Sequence, residues 1–296
     1  MSQPAAGQGG PRPLGTLLYV PALYGAGWLL CRPLALLAPG LRPDQLDLTG
    51  AVIALLLLLL SLPLRLRRVW GDSHPWRRLG LRGPAPAVPL GLLLGLLLAA
   101  ALLLPVAAVL LIGGQAAWRG GLSPALLANG LALLLGVGFA EELLFRGWLW
   151  GELELVLPGR RALGLQALLF ALVHPWYRLP PLPGLALLGG LTLLGVALAQ
   201  LRRRLNGSLW APIGLHGGLV GGWFVLQKGL LQIGAGAPSW LVGPGEGDVN
   251  PLGGLLGWLG LGLLLAGLQW RQRTAVARAR RPSTGACSAS SRGAAP

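Results

Sequence analysis

The sequence predicts an all-α fold: a polytopic integral membrane protein of about eight transmembrane helices enclosing an intramembrane Glu/His site. Composition comes first. The chain is 54% hydrophobic and only 11% charged, with a mean hydropathy of +0.65, whereas soluble domains carry about 25% charged residues. The apolar residues also gather in runs close to the roughly 20 residues that a bilayer-crossing helix needs. Finally, the basic residues sit in short clusters between those runs. The net charge is +15, yet such clusters fit membrane orientation and anionic lipids better than nucleic acid, and no nucleic-acid partner is expected.

Met1 to Pro13 is polar, Gly- and Pro-rich, and lacks a basic n-region, so no cleaved signal peptide is expected. Apolar runs then predict spans at 14–31, 48–64, 88–112, 124–150, 162–177, 184–201, 208–231 and 251–270. The third is unbroken. The first is interrupted and the fifth short, and Gly and Pro are tolerated in membrane helices. The stretch from Arg65 to Pro86 reads as a basic, Pro- and Gly-punctuated solvated loop carrying His74. The stretch from Arg271 to Pro296 reads as a disordered, lipid-facing basic tail. The resulting division is an N-terminal transmembrane region (1–123), a core (124–231), a last helix with its preceding loop (232–270) and the tail (271–296).

Orientation follows the positive-inside rule. With eight spans, only Arg32, Arg42, Arg119, Arg178 and Lys228 fall on one side and Arg146 inside a span, while every other basic residue falls on the opposite side. That side is the cytoplasm, and both termini lie there. A multi-pass protein of a bacterial plasma membrane, or of another internal membrane, is the expectation. Trp70, Trp118, Trp150, Trp176, Trp210 and Trp270 fall near span ends, as an interfacial belt would. Two cysteines, Cys31 and Cys287, supply neither a disulfide framework nor a Cys-based zinc site.

Charges at membrane depth cost at least about 2.5–3.5 kcal/mol each on insertion scales, so each needs a reason. The fourth span carries three: Glu141, Glu142 and Arg146. Glu142 and Arg146, at i and i+4, share a helix face and can pair. Glu141 is turned by roughly 100° from Glu142 and needs a partner on another helix. His174 ends the fifth span and His216 lies in the seventh. Counted at about 1.5 Å per residue from Glu152, Arg161 and Arg204, Glu141, His174 and His216 lie at nearly one depth. Gly214, Gly217, Gly218, Gly221 and Gly222 around His216 let helix backbones approach closely.

Glu-Glu-x-x-x-Arg, then Phe-x-x-x-His, then a histidine two spans later resemble the CPBP family of membrane proteins. That family includes CAAX-processing endopeptidases (CAAX prenyl protease 2) and bacterial Abi-like, lysostaphin-resistance-like and bacteriocin-immunity relatives. The resemblance runs from about Pro124 to Val225. It implies Glu141, His174 and His216 as catalytic residues, with Glu142 and Arg146 as supporting motif residues. The third motif commonly reads His-x-x-x-Asn; here Val220 stands four residues after His216. Asn129 and Asn206 are not at that position. Valine cannot donate to a developing oxyanion, work worth about 3–4 kcal/mol per donor.

The function expected is peptide hydrolysis on membrane-associated or lipidated proteins, with Glu141 as general base on a water oriented jointly with His174. His216 would hold the carbonyl oxygen. A non-catalytic scaffold or immunity-like protein that keeps the fold is the alternative, and Val220 is its argument. A proton-coupled transporter ranks third, because no second copy of the charged cluster is visible. No cofactor is expected. Zinc on one Glu and two His is the minority possibility, weakened by the lack of a His-Glu-x-x-His motif.

Overall fold

The computed structural model describes residues 11–245 and 249–279. Apart from one two-stranded sheet the ordered elements are helical. Five helices are long and apolar enough to cross a membrane: α1 (Pro13–Leu37), α2 (Pro43–Trp70), α3 (Ala87–Ile112), α4 (Pro124–Val156) and, further on, α6 (Pro181–Arg204). Between α4 and α6 lies α5 (Gly159–Leu172), whose 14 residues span about 21 Å, short of a 30 Å hydrocarbon core. Two more helices follow. These are α7 (Trp210–Val225), which continues as a wider turn over Leu226–Leu230, and α8 (Leu255–Ala279), whose apolar part is Leu255–Trp270.

Glycine sets which helices touch. α7 carries Gly214 and Gly218 on the face against α3, beside Leu92 and Ala99, and Gly217 and Gly221 on the face against α4, beside Leu134 and Gly130. A Cβ on Gly217 would run into the carbonyl oxygen of Leu134, so only glycine permits this approach. The contacts also give direction. Positions 91, 95, 99 and 103 of α3 meet α7 at successively later residues, so the two helices run parallel. Along α4, Gly130 and Gly138 meet α7 at successively earlier residues, so α4 runs antiparallel to both. β1 (Ala116–Trp118) and β2 (Leu231–Ile233) pair antiparallel just after α3 and α7, joining the C-terminal ends of those parallel helices.

α1 and α2 form a hairpin in which Gly27 lies against Gly50 and the Tyr19 hydroxyl is 2.6 Å from Ser61 Oγ. α5 and α6 form another, with Gln166 donating to the Gly195 carbonyl. The apolar core lies between α3, α6 and α7, around Leu103, Leu194, Leu198 and Leu215. The outward sides of α1, α3 and α8 keep leucines such as Leu17, Leu97 and Leu263 exposed.

Several expectations need correction. The Arg65–Pro86 stretch is a folded strap. Leu66 and Leu79 are fully buried, the Gly80 carbonyl accepts from Leu209 N–H, and Arg202 donates to the carbonyls of Arg78 and Leu79. Apolar residues spaced among the arginines bury themselves and carry the charges along. Trp150 is buried among helices and not in an interfacial belt, whereas Trp118 and Trp270 are exposed. The tail begins as helix: Ala- and Arg-rich residues extend α8 to Ala279, consistent with their high helix propensity. The rest of that predicted tail, 280–296, lies outside the described residues.

Candidate active site

The charged run of α4 is not regular α-helix. Over Glu142–Leu149 the backbone bonding widens, so that Trp150 N–H reaches Phe145 O, five residues back. Such insertions are frequent at functional sites because they re-aim the side chains they carry. Here Glu142 and Arg146 turn inward and are wholly buried, while Glu141 stays 29% exposed.

Glu142 holds the centre together. Its Oε1 accepts from Arg146 Nη1 at 2.7 Å and lies 2.8 Å from His216 Nδ1. The i,i+4 pair expected from spacing is therefore present, and it gains an imidazole from α7. Arg146 also lies with its fully buried guanidinium carbon 4.0 Å above the Phe170 ring, a cation–π contact. Phe170 meets the rings of Phe145, His174 and His216 edge-on. Its motif position was legible in the sequence. Its place at the hub was not, since Phe145, Arg146 and His216 reach it only through tertiary packing.

α5 ends at Leu172, so His174 sits in the turn after it and not within a span. Its Nδ1 lies 2.7 Å from the Phe170 carbonyl oxygen. A carbonyl only accepts, so His174 Nδ1 carries a hydrogen. A carboxylate likewise only accepts, so His216 Nδ1 donates to Glu142. Both rings are thus held by their Nδ1 atoms and present Nε2 to the same place. Glu141 Oε2 is 3.7 Å from His174 Nε2 and 3.8 Å from His216 Nε2. These separations are too long for direct hydrogen bonds.

The boundary markers behave differently from the catalytic candidates. Glu152, used above as a depth marker, is buried and receives two bonds from Arg65, at 2.7 and 2.8 Å. Nothing in the local sequence signals this pair, because its members are 87 residues apart.

Two apolar spaces meet at His174. One is a cleft of about 1210 Å³ between α1, α4 and α5, walled by Tyr24, Trp148 and Leu169, with Glu141 and His174 on its surface. The other is a cavity of about 320 Å³ among α3, α6, α7 and α8, with His174, His216, Val220 and Trp223 in its wall. Val220 therefore shares a cavity with both histidines. Two amides that sequence reading passed over, Gln227 and Asn250, line the same cavity. Asn250 is fixed there by accepting from Leu252 N–H, and Trp223 Nε1 bonds the neighbouring Val249 carbonyl. No group of three or more His, Cys, Asp or Glu among the described residues is placed to hold a metal ion.

Comparison with known proteins finds two family models that each match part of the chain. Residues 3–74, which cover α1 and α2, match a domain of unknown function (DUF8676). No curated protein and no solved structure matches the chain. Residues 101–221, which contain all six singled-out positions from Glu141 to Val220, match the type II CAAX prenyl endopeptidase Rce1-like family.

Proposed function

From that family match of residues 101–221 we propose that the protein is an intramembrane endopeptidase that cleaves membrane-associated or lipidated proteins by a glutamate-activated water, without a covalent intermediate. The observation that carries this reading is the placement of Glu141 Oε2 between two imidazole Nε2 atoms, at 3.7 and 3.8 Å. A water at that point lies within hydrogen-bond reach of all three.

Glu141 takes a proton from that water while His174 Nε2 orients it, and the resulting hydroxide adds to the scissile carbonyl carbon. Negative charge then develops on the carbonyl oxygen. His216 faces it with Nε2, and because Nδ1 is committed to Glu142, donation requires the ring to carry both hydrogens. The Glu142 carboxylate 2.8 Å from Nδ1 balances that imidazolium. Glu141 next passes its proton to the leaving nitrogen, the C–N bond breaks, and a carboxylic acid and an amine result. Arg146 is a partner of Glu142 and takes no part in proton transfer.

The cleft between α1 and α5 gives an apolar chain a lateral way to Glu141. Eight crossings, with both termini on the arginine-rich cytoplasmic side, fit the parallel course of α3 and α7 and the antiparallel course of α4. The non-catalytic scaffold is the second reading, favoured by Val220, which puts an apolar side chain beside His216 where an amide would otherwise donate.

The deciding experiment incubates the reconstituted protein with lipidated and unlipidated peptides. Cleavage of the lipidated peptide that vanishes in Glu141→Ala supports hydrolysis. Cleavage that survives Glu141→Ala refutes this site, and absence of cleavage in a folded wild type favours the scaffold.

A further inference from the structure

A second site is visible at the arginine-rich end of the bundle, outside the Glu/His cluster. A polar cavity of about 520 Å³ lies between the strap after α2, the end of α4 and the α6–α7 turn. Its floor is held by Arg202, which is 9% exposed. That guanidinium bonds the carbonyls of Gly207 at 3.0 Å and Arg78 at 3.1 Å, and also that of Arg146. Arg202 is thereby spent on positioning backbone.

The side chains around this floor are oversupplied with donors. Among the described residues, the Arg77 side chain forms no ion pair or hydrogen bond, and the Arg78 side chain has only the Trp70 ring, with its guanidinium carbon 5.8 Å from the centroid. Arg203 reaches Glu154 at 3.6 Å, and Asn206, at φ 53°, points a further amide-bearing side chain to the same cavity. Trp150 forms part of the wall with its buried indole N–H unpartnered. The acceptors are fewer: Glu154 is already engaged by Arg203, and Asp72 Oδ1 takes the His74 N–H at 2.7 Å.

We infer that this cavity binds a phosphate group. Guanidiniums from two separate chain segments converge on one concave space, the arrangement that satisfies several oxygens of one anion at once. Trp70 and Trp150 flank it, and Trp150 brings an indole N–H that has no other acceptor among the described residues. Its volume exceeds that of a bare phosphate and accommodates the polar part of an anionic phospholipid. A headgroup and a soluble phosphate share this chemistry, and the test separates them. The inference does not depend on whether the Glu/His site hydrolyses anything.

The full chain is purified in non-ionic detergent, and retention of phosphatidylglycerol against phosphatidylcholine is measured by native mass spectrometry. Arg77→Gln with Arg78→Gln should weaken phosphatidylglycerol retention by about 30-fold, the equivalent of two interfacial arginines. Arg77→Gln alone, which removes an unpaired exposed side chain and so cannot unfold the strap, should weaken it by about fivefold. Arg160→Gln with Arg161→Gln, at the same end but outside the cavity, should leave it unchanged. Millimolar inorganic phosphate distinguishes the sources: if it displaces the lipid and alone raises the melting temperature in an Arg77-dependent way, the ligand is a soluble phosphate. If it does neither, the ligand is the headgroup. Equal losses in the Arg160/Arg161 and Arg77/Arg78 variants, or no preference for phosphatidylglycerol in the wild type, overturn the site.

Discussion

Arg146→Met is the perturbation that asks most of the site. Both Arg146 and Glu142 are wholly buried, and among the described residues their 2.7 Å contact is the only hydrogen bond the Arg146 side chain makes. Removing the guanidinium strands a carboxylate whose remaining partner is His216, and breaking one side of a buried pair costs about 3–5 kcal/mol. The lower end is expected here, for two reasons. His216 still donates to Glu142 Oε1, and Arg146 Nε and Nη2 have no partners, so losing them relieves about 1–3 kcal/mol of unrepaid desolvation. Loss of the contact over Phe170 adds back about 1 kcal/mol. A net loss near 3 kcal/mol corresponds to a fall in melting temperature of about 6–12 °C.

The double change Glu142→Gln, Arg146→Met removes the stranded charge and keeps an oxygen acceptor for His216 Nδ1. It should recover most of the loss, because replacing a buried pair by neutral groups is often close to neutral. Thermal unfolding in detergent, followed by tryptophan fluorescence for all four members of the cycle, measures the coupling. A double variant that melts at or below Arg146→Met refutes the pairing as the reason these two charges are tolerated. Glu141→Gln should melt near the wild type, since Glu141 is partly exposed and Oε2 has no hydrogen-bond partner to lose.

Three further outcomes follow from the packing. Gly217→Leu should abolish folded yield, since its Cβ meets Leu134 backbone, whereas Gly136→Ala, with nothing within 4 Å, should fold normally; comparable yields of the two on size-exclusion chromatography would contradict the α4–α7 seam. Val220→Asn should fold with a loss of no more than about 2 kcal/mol, because position 220 faces a cavity shared with two histidines and not a dry helix contact. It should raise Glu141-dependent cleavage if an amide donor is what this site lacks; collapse of the melting transition would show that the cavity wall is misplaced. In a Cys31→Ser, Cys287→Ser background, a cysteine at Arg67 should resist an impermeant thiol reagent in intact cells while one at Arg119 is labelled. The reverse pattern would invert the topology.

The order of helices, their approximate limits and the Glu142–Arg146 pair were all legible along the chain. Each rests on short-range periodicity: apolar run length, proline and glycine punctuation, and the i,i+4 spacing of one helix face. The convergence of Glu141, His174 and His216 was legible as well, by counting residues along the chain from the nearest polar segments. Which nitrogen of each imidazole faces Glu141 was not, because that depends on the rotation and separation of α4, α5 and α7. Those are set where Gly138 touches Gly217 and where Leu134 packs over it. The same reason hid the partners of the other buried charges. Arg65 finds Glu152 across 87 positions, His216 finds Glu142 across 74, and Arg202 reaches the strap carbonyls across 124 and 123. A lone arginine beside an apolar run reads as a solvated loop charge until tertiary packing buries the leucines next to it. Only then does the low-dielectric surrounding require each charge to have a particular partner.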